Sequence, residues 1–208
     1  MGRREQKKIT NRKAILNAGL DVFSTIGYER ATITDIVTAS GLSVGTFYNH
    51  CGDKDTIFAE LVTDYLIQVR AVLNEARMAA DSVESFVMGA FCAYSQLTDR
   101  HPKMQQFISI NSNVFRQFVS SEKELVGIIA DLEHDMQAII DAGLAPEFPV
   151  KLMTTVMIAS SIEIFSDKTS DYNNDEKAKF LGVVAITADG LIGLPTLLGD
   201  GYTNRAGG

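Results

Sequence analysis

Apolar positions along the chain recur at steps of three, four and seven residues, and that period predicts helices throughout. Ile15, Leu16, Leu20, Val22, Phe23 and Ile26 give one face of a first helix. Thr10 or Asn11 is the candidate cap at its start, and Gly27 the left-handed residue past its end. Thr32 is the N-cap candidate of a short second helix that turns Ile33, Ile36 and Val37 inward, and Gly41 breaks it. Ser43 is the N-cap candidate of a third short helix beginning with Val44 and Phe47, which Gly52 ends. Asp53 opens a long fourth helix whose stripe runs Ile57, Phe58, Leu61, Val62, Tyr65, Leu66, Val69, Leu73 and Ala76.

Further helices are predicted over 82–98, 102–119, 121–142, 149–167 and 175–194, with breaks at His101-Pro102, at 142–149 and at 170–176. No stretch of useful length has the two-residue period of a strand, and no repeat emerges, so the predicted fold class is all-α. The last two helices differ from the others. Val150, Leu152, Met153, Val156, Met157, Ile158, Ile162, Ile164 and Phe165 cover more than one stripe, as do Phe180, Leu181, Val183, Val184, Ile186, Leu191, Ile192 and Leu194. A helix apolar on two faces needs two partners. One is the domain's own core; a second copy of the chain supplies the other in a homodimer through the last two helices, and burial in the middle of one domain is the alternative.

Composition narrows the class. The chain has 208 residues, 46% of them apolar, with no tryptophan and four prolines, which suits long helices around a full core. No apolar run reaches the ~18 residues that span a bilayer. The basic start "MGRREQKKITNRK" is not followed by an apolar run, so it does not read as a secretory signal, and two cysteines are too few for a disulfide framework. A soluble cytoplasmic protein without a membrane partner is expected. The net charge is −7, but the first fifty residues carry seven Lys and Arg against four acids, net +3, which leaves −10 for the remainder. A basic head on an acidic body offers one region to phosphate and repels it elsewhere.

The stretch "SGLSVGTFYNHCGDK", Ser40 to Lys54, shows what the head is built for. Two short helices joined at Ser40-Gly41-Leu42, with the first helix behind them, make a helix-turn-helix. Ile36, Val37, Leu42 and Phe47 supply its small core. The opposite side of the third helix, Val44, Gly45, Thr46, Tyr48, Asn49 and His50, is left for another surface. In a DNA reader that second helix of the pair lies in the major groove. Gly45 permits close approach of the backbone, Thr46 and Asn49 can bond bases or phosphates, and Tyr48, His50 and Lys54 suit phosphate oxygens. Thr32, Thr34 and Ser43 complete the candidate contacts to double-stranded DNA, and Arg3, Arg4, Lys7 and Lys8 form a basic arm able to add phosphate contacts.

The segment "GYERATITDIVTASGLSVGTFYNHCGDKDTIF" resembles the DNA-binding domain of the TetR family of bacterial transcriptional repressors, over roughly a quarter of the chain. Gly27-Tyr28, Thr32, Ile36-Val37, Gly41-Leu42-Ser43, Gly45, Phe47-Tyr48, His50 and Lys54-Asp55 carry the likeness. The chain departs from the family pattern at Val44, where a basic residue is common, at Cys51, where phenylalanine is common, and at Ala31, often threonine. The resemblance implies a three-helix DNA-binding domain over 1–54 and a helical ligand-binding and dimerisation domain over 55–208. It implies a dimer whose two heads sit about one helical turn apart, ~34–36 Å, on a near-palindromic operator. It further implies a small-molecule effector that favours a DNA-incompetent state, with the fourth helix as lever.

Phe91, Tyr94, Phe107, Asn111, Phe115, Met136, Met157 and Phe165 are the candidate lining for a mostly apolar effector, weighed against service as ordinary core. Catalysis finds no support, since no phosphate loop or nucleophile motif is present and no cofactor is implied. His134 lies among Asp131, Glu133 and Asp135, which reads as an acidic solvated face rather than a metal site. "DYNNDE" at 171–176 begins like a calcium loop but has Glu176 where glycine is required and Gly182 at the closing glutamate position. Cys51, near His50 and Lys54, raises the alternative of a redox-sensing regulator, against that of a buried structural thiol; a helical small-molecule-binding protein with a non-reading head is the other alternative.

Overall fold

The computed structural model describes residues 2–166 and 171–188, the last six of these as backbone alone. Ten helices lie within them: α1 (Arg3–Ile26), α2 (Ile33–Ser40), α3 (Val44–Tyr48), α4 (Lys54–Met78), α5 (Val83–Arg100), α6 (Pro102–Ile110), α7 (Ser112–Val119), α8 (Lys123–Asp141), α9 (Val150–Ser166) and α10 (Asn174–Ala188). The described residues contain no strand. They fall into two compact units, one made of residues up to Gln68 with His101–Leu125, the other of Val69–Arg100 with the described residues from Val126 onward. Both units include part of α4, and α6 and α7 fall in the unit of the first three helices.

In the first unit α1 packs on α2 and α6. Ile15, Phe23, Ile36, Phe47, Ile57, Phe58 and Phe107 are fully buried. Phe58 is the hub of a ring cluster, with centroids 5.5 Å from Phe23, 5.0 Å from Tyr28, 4.6 Å from Phe107 and 4.9 Å from Phe118. Such tilted and edge-on pairs add to the burial of the rings themselves.

Two sequence expectations are corrected here. The first helix begins at Arg3 with Gly2 as N-cap, not at Thr10 or Asn11. The Thr10 hydroxyl donates to the Gln6 carbonyl at 3.0 Å, a bond a helix-interior threonine makes, and the residues before it are mostly strong helix formers. The helix predicted over 102–119 is two helices broken at Asn111, whose φ of −109° and ψ of 25° leave the helical region. Gly27 does end α1 with positive φ, 81°, but its ψ of 155° lies outside the left-handed helical region.

In the second unit α10 runs along α5 and contacts α9. Its core gathers Phe86, Val87, Phe91, Leu132, Met136, Met153, Met157, Phe165, Ala178 and Leu181. Arg70 and Arg77, on the α4 segment of this unit, face α8. Arg70 Nε donates to Asp131 at 2.9 Å and Arg77 Nε to Asp135 at 2.8 Å. The backbone of α8 at Gly127 lies against the Arg70 guanidinium so closely that an added Cβ would stand 2.6 Å from it. Leu152, Val156 and Phe180 remain exposed on α9 and α10. Leu191, Ile192 and Leu194 of the predicted 175–194 helix lie outside the described residues, and so does the stretch 167–170.

Candidate nucleic-acid interface

The head is assembled from local bonds that its sequence dictates. Thr32 caps α2 in a reciprocal box: its Oγ1 accepts from the Asp35 amide at 3.2 Å, and Asp35 Oδ2 accepts from the Thr32 amide at 2.9 Å. The bonds from the Thr32 hydroxyl and amide hold the Asp35 carboxyl below its ordinary range. Gly41 ends α2 at φ 67°, ψ 13°, a left-handed conformation that a side chain would resist. Ser40 Oγ accepts from the Leu42 amide at 3.3 Å and donates to the Val37 carbonyl at 2.8 Å, tying the turn to the helix it leaves. Ser43 then caps α3, accepting from the Thr46 amide at 3.2 Å.

These bonds set which side of α3 faces out. Phe47 is fully buried, with its ring edge-on to Tyr48 at 5.5 Å. Val44 is 58% exposed and Tyr48 55%, and Ser43, Gly45 and Asn49 are exposed with them. Thr46 is half-buried, its hydroxyl 2.8 Å from Ser43 Oγ. Thr32, the N-cap of α2, and Thr34 in its first turn are exposed. Arg3, Arg4, Lys7 and Lys8 occupy the first two turns of α1 and are all exposed, so the basic arm is helical where the sequence left its form open.

Two of the expected contacts are engaged inside the head. Lys54 Nζ donates to the Tyr28 carbonyl at 2.9 Å and the Ala31 carbonyl at 3.2 Å, and stands 4.3 Å from the Tyr28 ring centroid. Tyr28 in turn donates its hydroxyl to Asp55. His50 is half-buried; its carbonyl accepts from Arg12 Nη1 at 2.6 Å, and its Nε2 is 3.5 Å from Asn11 Nδ2. Arg12 also pairs with Glu60 of α4. Periodicity and charge counts did not single out Arg12 for this role, because its partners lie 38 and 48 residues along the chain.

Cys51 is 2% exposed, with its sulfur 3.9 Å from Arg12 Nη1. Burial pushes its thiol up, against a smaller downward pull from Arg12. That is the environment of a structural thiol rather than a reactive one.

The candidate effector lining is divided. Phe91, Tyr94, Met136, Met157 and Phe165 meet in or beside the core of the second unit, where Tyr94 and Phe165 stack edge-on at 4.9 Å. Phe107, Asn111 and Phe115 belong to the first unit. Asn111 spends its polar atoms there: its amide donates to the Phe23 carbonyl at 3.0 Å and the Phe107 carbonyl at 2.7 Å, and its Oδ1 accepts from the Tyr28 amide at 2.5 Å. Around His134, Asp131 and Asp135 are held by the two arginines of α4. No three His, Cys, Asp or Glu side chains among the described residues are grouped to hold a metal ion, and no described helix is long and apolar enough to cross a membrane.

Residues 15–61 match the profile described as "Bacterial regulatory proteins, tetR family". The chain is 26% identical to the HTH-type transcriptional regulator YdgC of Bacillus subtilis, over 73% of this chain and 85% of that protein. It is 32% identical to the HTH-type transcriptional repressor AcnR of Corynebacterium glutamicum, over 33% of this chain and 37% of that protein. The fold is shared with the transcriptional regulator FadR of Bacillus subtilis, solved in complex with stearoyl-CoA, at a TM-score of 0.73 and 15% identity over 84% of this chain and 97% of that one. The capped α2–turn–α3 unit and the profile that spans it agree: residues 15–61 form a helix-turn-helix domain of the TetR type, on an all-helical chain similar to helix-turn-helix transcriptional regulators.

Proposed function

We propose that the protein is a ligand-responsive repressor that occupies a near-palindromic operator as a homodimer and leaves it when a mostly apolar small molecule binds the second unit. The observation that carries this reading is the outward face of α3. Val44, Gly45, Tyr48 and Asn49 are exposed on a helix whose other side is locked by Phe47, Ser43 and the Gly41 turn. Thr32, Thr34, Ser43 and Thr46 flank that face, and the cations of α1 stand ready for phosphates. Lys54 and His50 contribute by shaping the head as much as by touching DNA.

The homodimer is assigned to α9 and α10. Leu152 at 60%, Val156 at 53% and Phe180 at 61% exposure are apolar surface that a second copy would bury. The effector is assigned to the apolar interior formed by Phe91, Tyr94, Met136, Met157 and Phe165, rich in side chains that adapt their shape. The stearoyl-CoA held by the FadR of similar fold supports an acyl chain as its chemistry. Since α4 contributes to both units, it is the element through which the effector acts on the head. The protein works in the cytoplasm, where its operator is.

The test is fluorescence anisotropy of the full chain on duplex DNA from beside its own gene, against a scrambled duplex at about 0.1 M salt. Preferential nanomolar binding, relieved by an acyl thioester, is the expected result. Equal affinity for both duplexes, with every neighbouring intergenic fragment tried, would overturn the reading.

A further inference from the structure

The first turn of α3 presents few free hydrogen-bonding groups, and that poverty has a partner in DNA. Ser43 Oγ accepts the Thr46 amide and lies 2.8 Å from Thr46 Oγ1, so the two hydroxyls at the start of the helix are engaged with each other. What the first turn presents is Val44, 58% exposed, and Gly45, where an added Cβ would meet nothing within 4 Å. Tyr48, one turn on from Val44, is 55% exposed with its ring braced against Phe47.

Val44 has neither donor nor acceptor. It cannot read the hydrogen-bond pattern of a base edge, nor hold a phosphate. Its β-branch restricts it to one strongly preferred rotamer in a helix, so its two methyls are carried in a set direction. The major groove offers one apolar feature, the C5 methyl of thymine. Charge favours DNA over a protein segment as the occupant of this face. Arg3, Arg4, Lys7 and Lys8 are exposed in the same unit, and the first fifty residues are net positive on a chain whose total is −7.

We propose that Val44 is a specificity-determining residue that reads the methyl group of one thymine in each half-site, with Gly45 letting the backbone come close enough for the contact. The inference rests on α3 being the helix that enters the major groove. Burying one methyl corresponds to about a fourfold change in affinity per half-site.

The full-length protein is used to enrich duplexes from a random pool. Each thymine of the enriched site is then replaced in turn by deoxyuridine, which lacks only the methyl. In the unaltered protein one thymine per half-site should be sensitive, with binding about fourfold weaker on its replacement. Val44→Ala should bind the thymine and deoxyuridine duplexes alike, and match the unaltered protein on the latter, which shows its head intact. If every replacement costs both proteins equally, or costs neither, the inference fails while the regulator reading stands. If no sequence is enriched, α3 is not the reading helix and both fall.

Discussion

Asn111 Oδ1 accepts the Tyr28 amide at 2.5 Å across 83 residues of chain, closing the end of α1 onto the α6–α7 break. The same side chain donates to Phe23 and Phe107 and is 4% exposed. Asn111→Ala removes three bonds and strands buried partners, at a cost of about 2–4 kcal/mol. Urea unfolding followed by circular dichroism checks it. A loss under about 0.5 kcal/mol would mean that water or a shift of α6 satisfies those groups instead.

Lys54 and the α1 cations should separate in a salt titration. Lys54 Nζ already bonds two carbonyls, so we expect Lys54→Met to lower stability by about 1–2 kcal/mol and to leave the salt slope of DNA binding within about one unit. Replacing Arg3, Arg4, Lys7 and Lys8 together by glutamine should flatten that slope by several units with little effect on unfolding. A steep loss of slope on Lys54→Met alone would return it to the phosphate contacts.

Gly19 is buried in the middle of α1, and an added Cβ would stand 2.5 Å from Ile57 Cγ2. Helix propensity favours Gly19→Ala by up to about 1 kcal/mol, whereas overpacking costs about 1–3 kcal/mol. Ile57 is fully buried and has nowhere to retreat, so a net loss of about 1–2 kcal/mol is expected. Gly19→Ala paired with Ile57→Leu, which lacks the Cγ2 methyl, should recover part of it. A thermal melt in which Gly19→Ala alone raises Tm would show that the α1–α4 contact is looser than described.

Asp131 makes acid stability specific to one pair. The bond from Arg70 holds its carboxyl below the ordinary range; burial opposes this, and the charges of Arg70 and Arg77 add to it. A carboxyl depressed in the folded state stabilises above its unfolded pKa of about 3.9, and the contribution is lost as pH falls through the lower, folded value. The advantage of the native protein over Asp131→Asn in urea midpoint should therefore be full at pH 6 and shrink below about pH 4. An advantage that stays constant down to pH 2.5 would assign the difference to packing.

Much of the candidate interface was legible because it is local. The capping box of Thr32 and Asp35, the left-handed Gly41, the Ser43 cap and the inward Phe47 depend on residues three or four apart, and a sequence displays such spacings directly. What Lys54 and Arg12 do was not legible. A lysine after a histidine reads the same whether it reaches outward or bonds carbonyls 26 and 23 residues earlier.

By itself the sequence determined the all-helical class, the helix-turn-helix and the buried stripe of α4, because apolar period and turn chemistry act within a few residues. Tertiary structure alone decided that α6 and α7 pack with the first helices and that Asn111 breaks the helix predicted over 102–119. It also parted Phe107, Asn111 and Phe115 from the other five effector candidates. A buried amide is satisfied by whatever carbonyls and N–H groups the fold brings near it, and those lie far away in the chain.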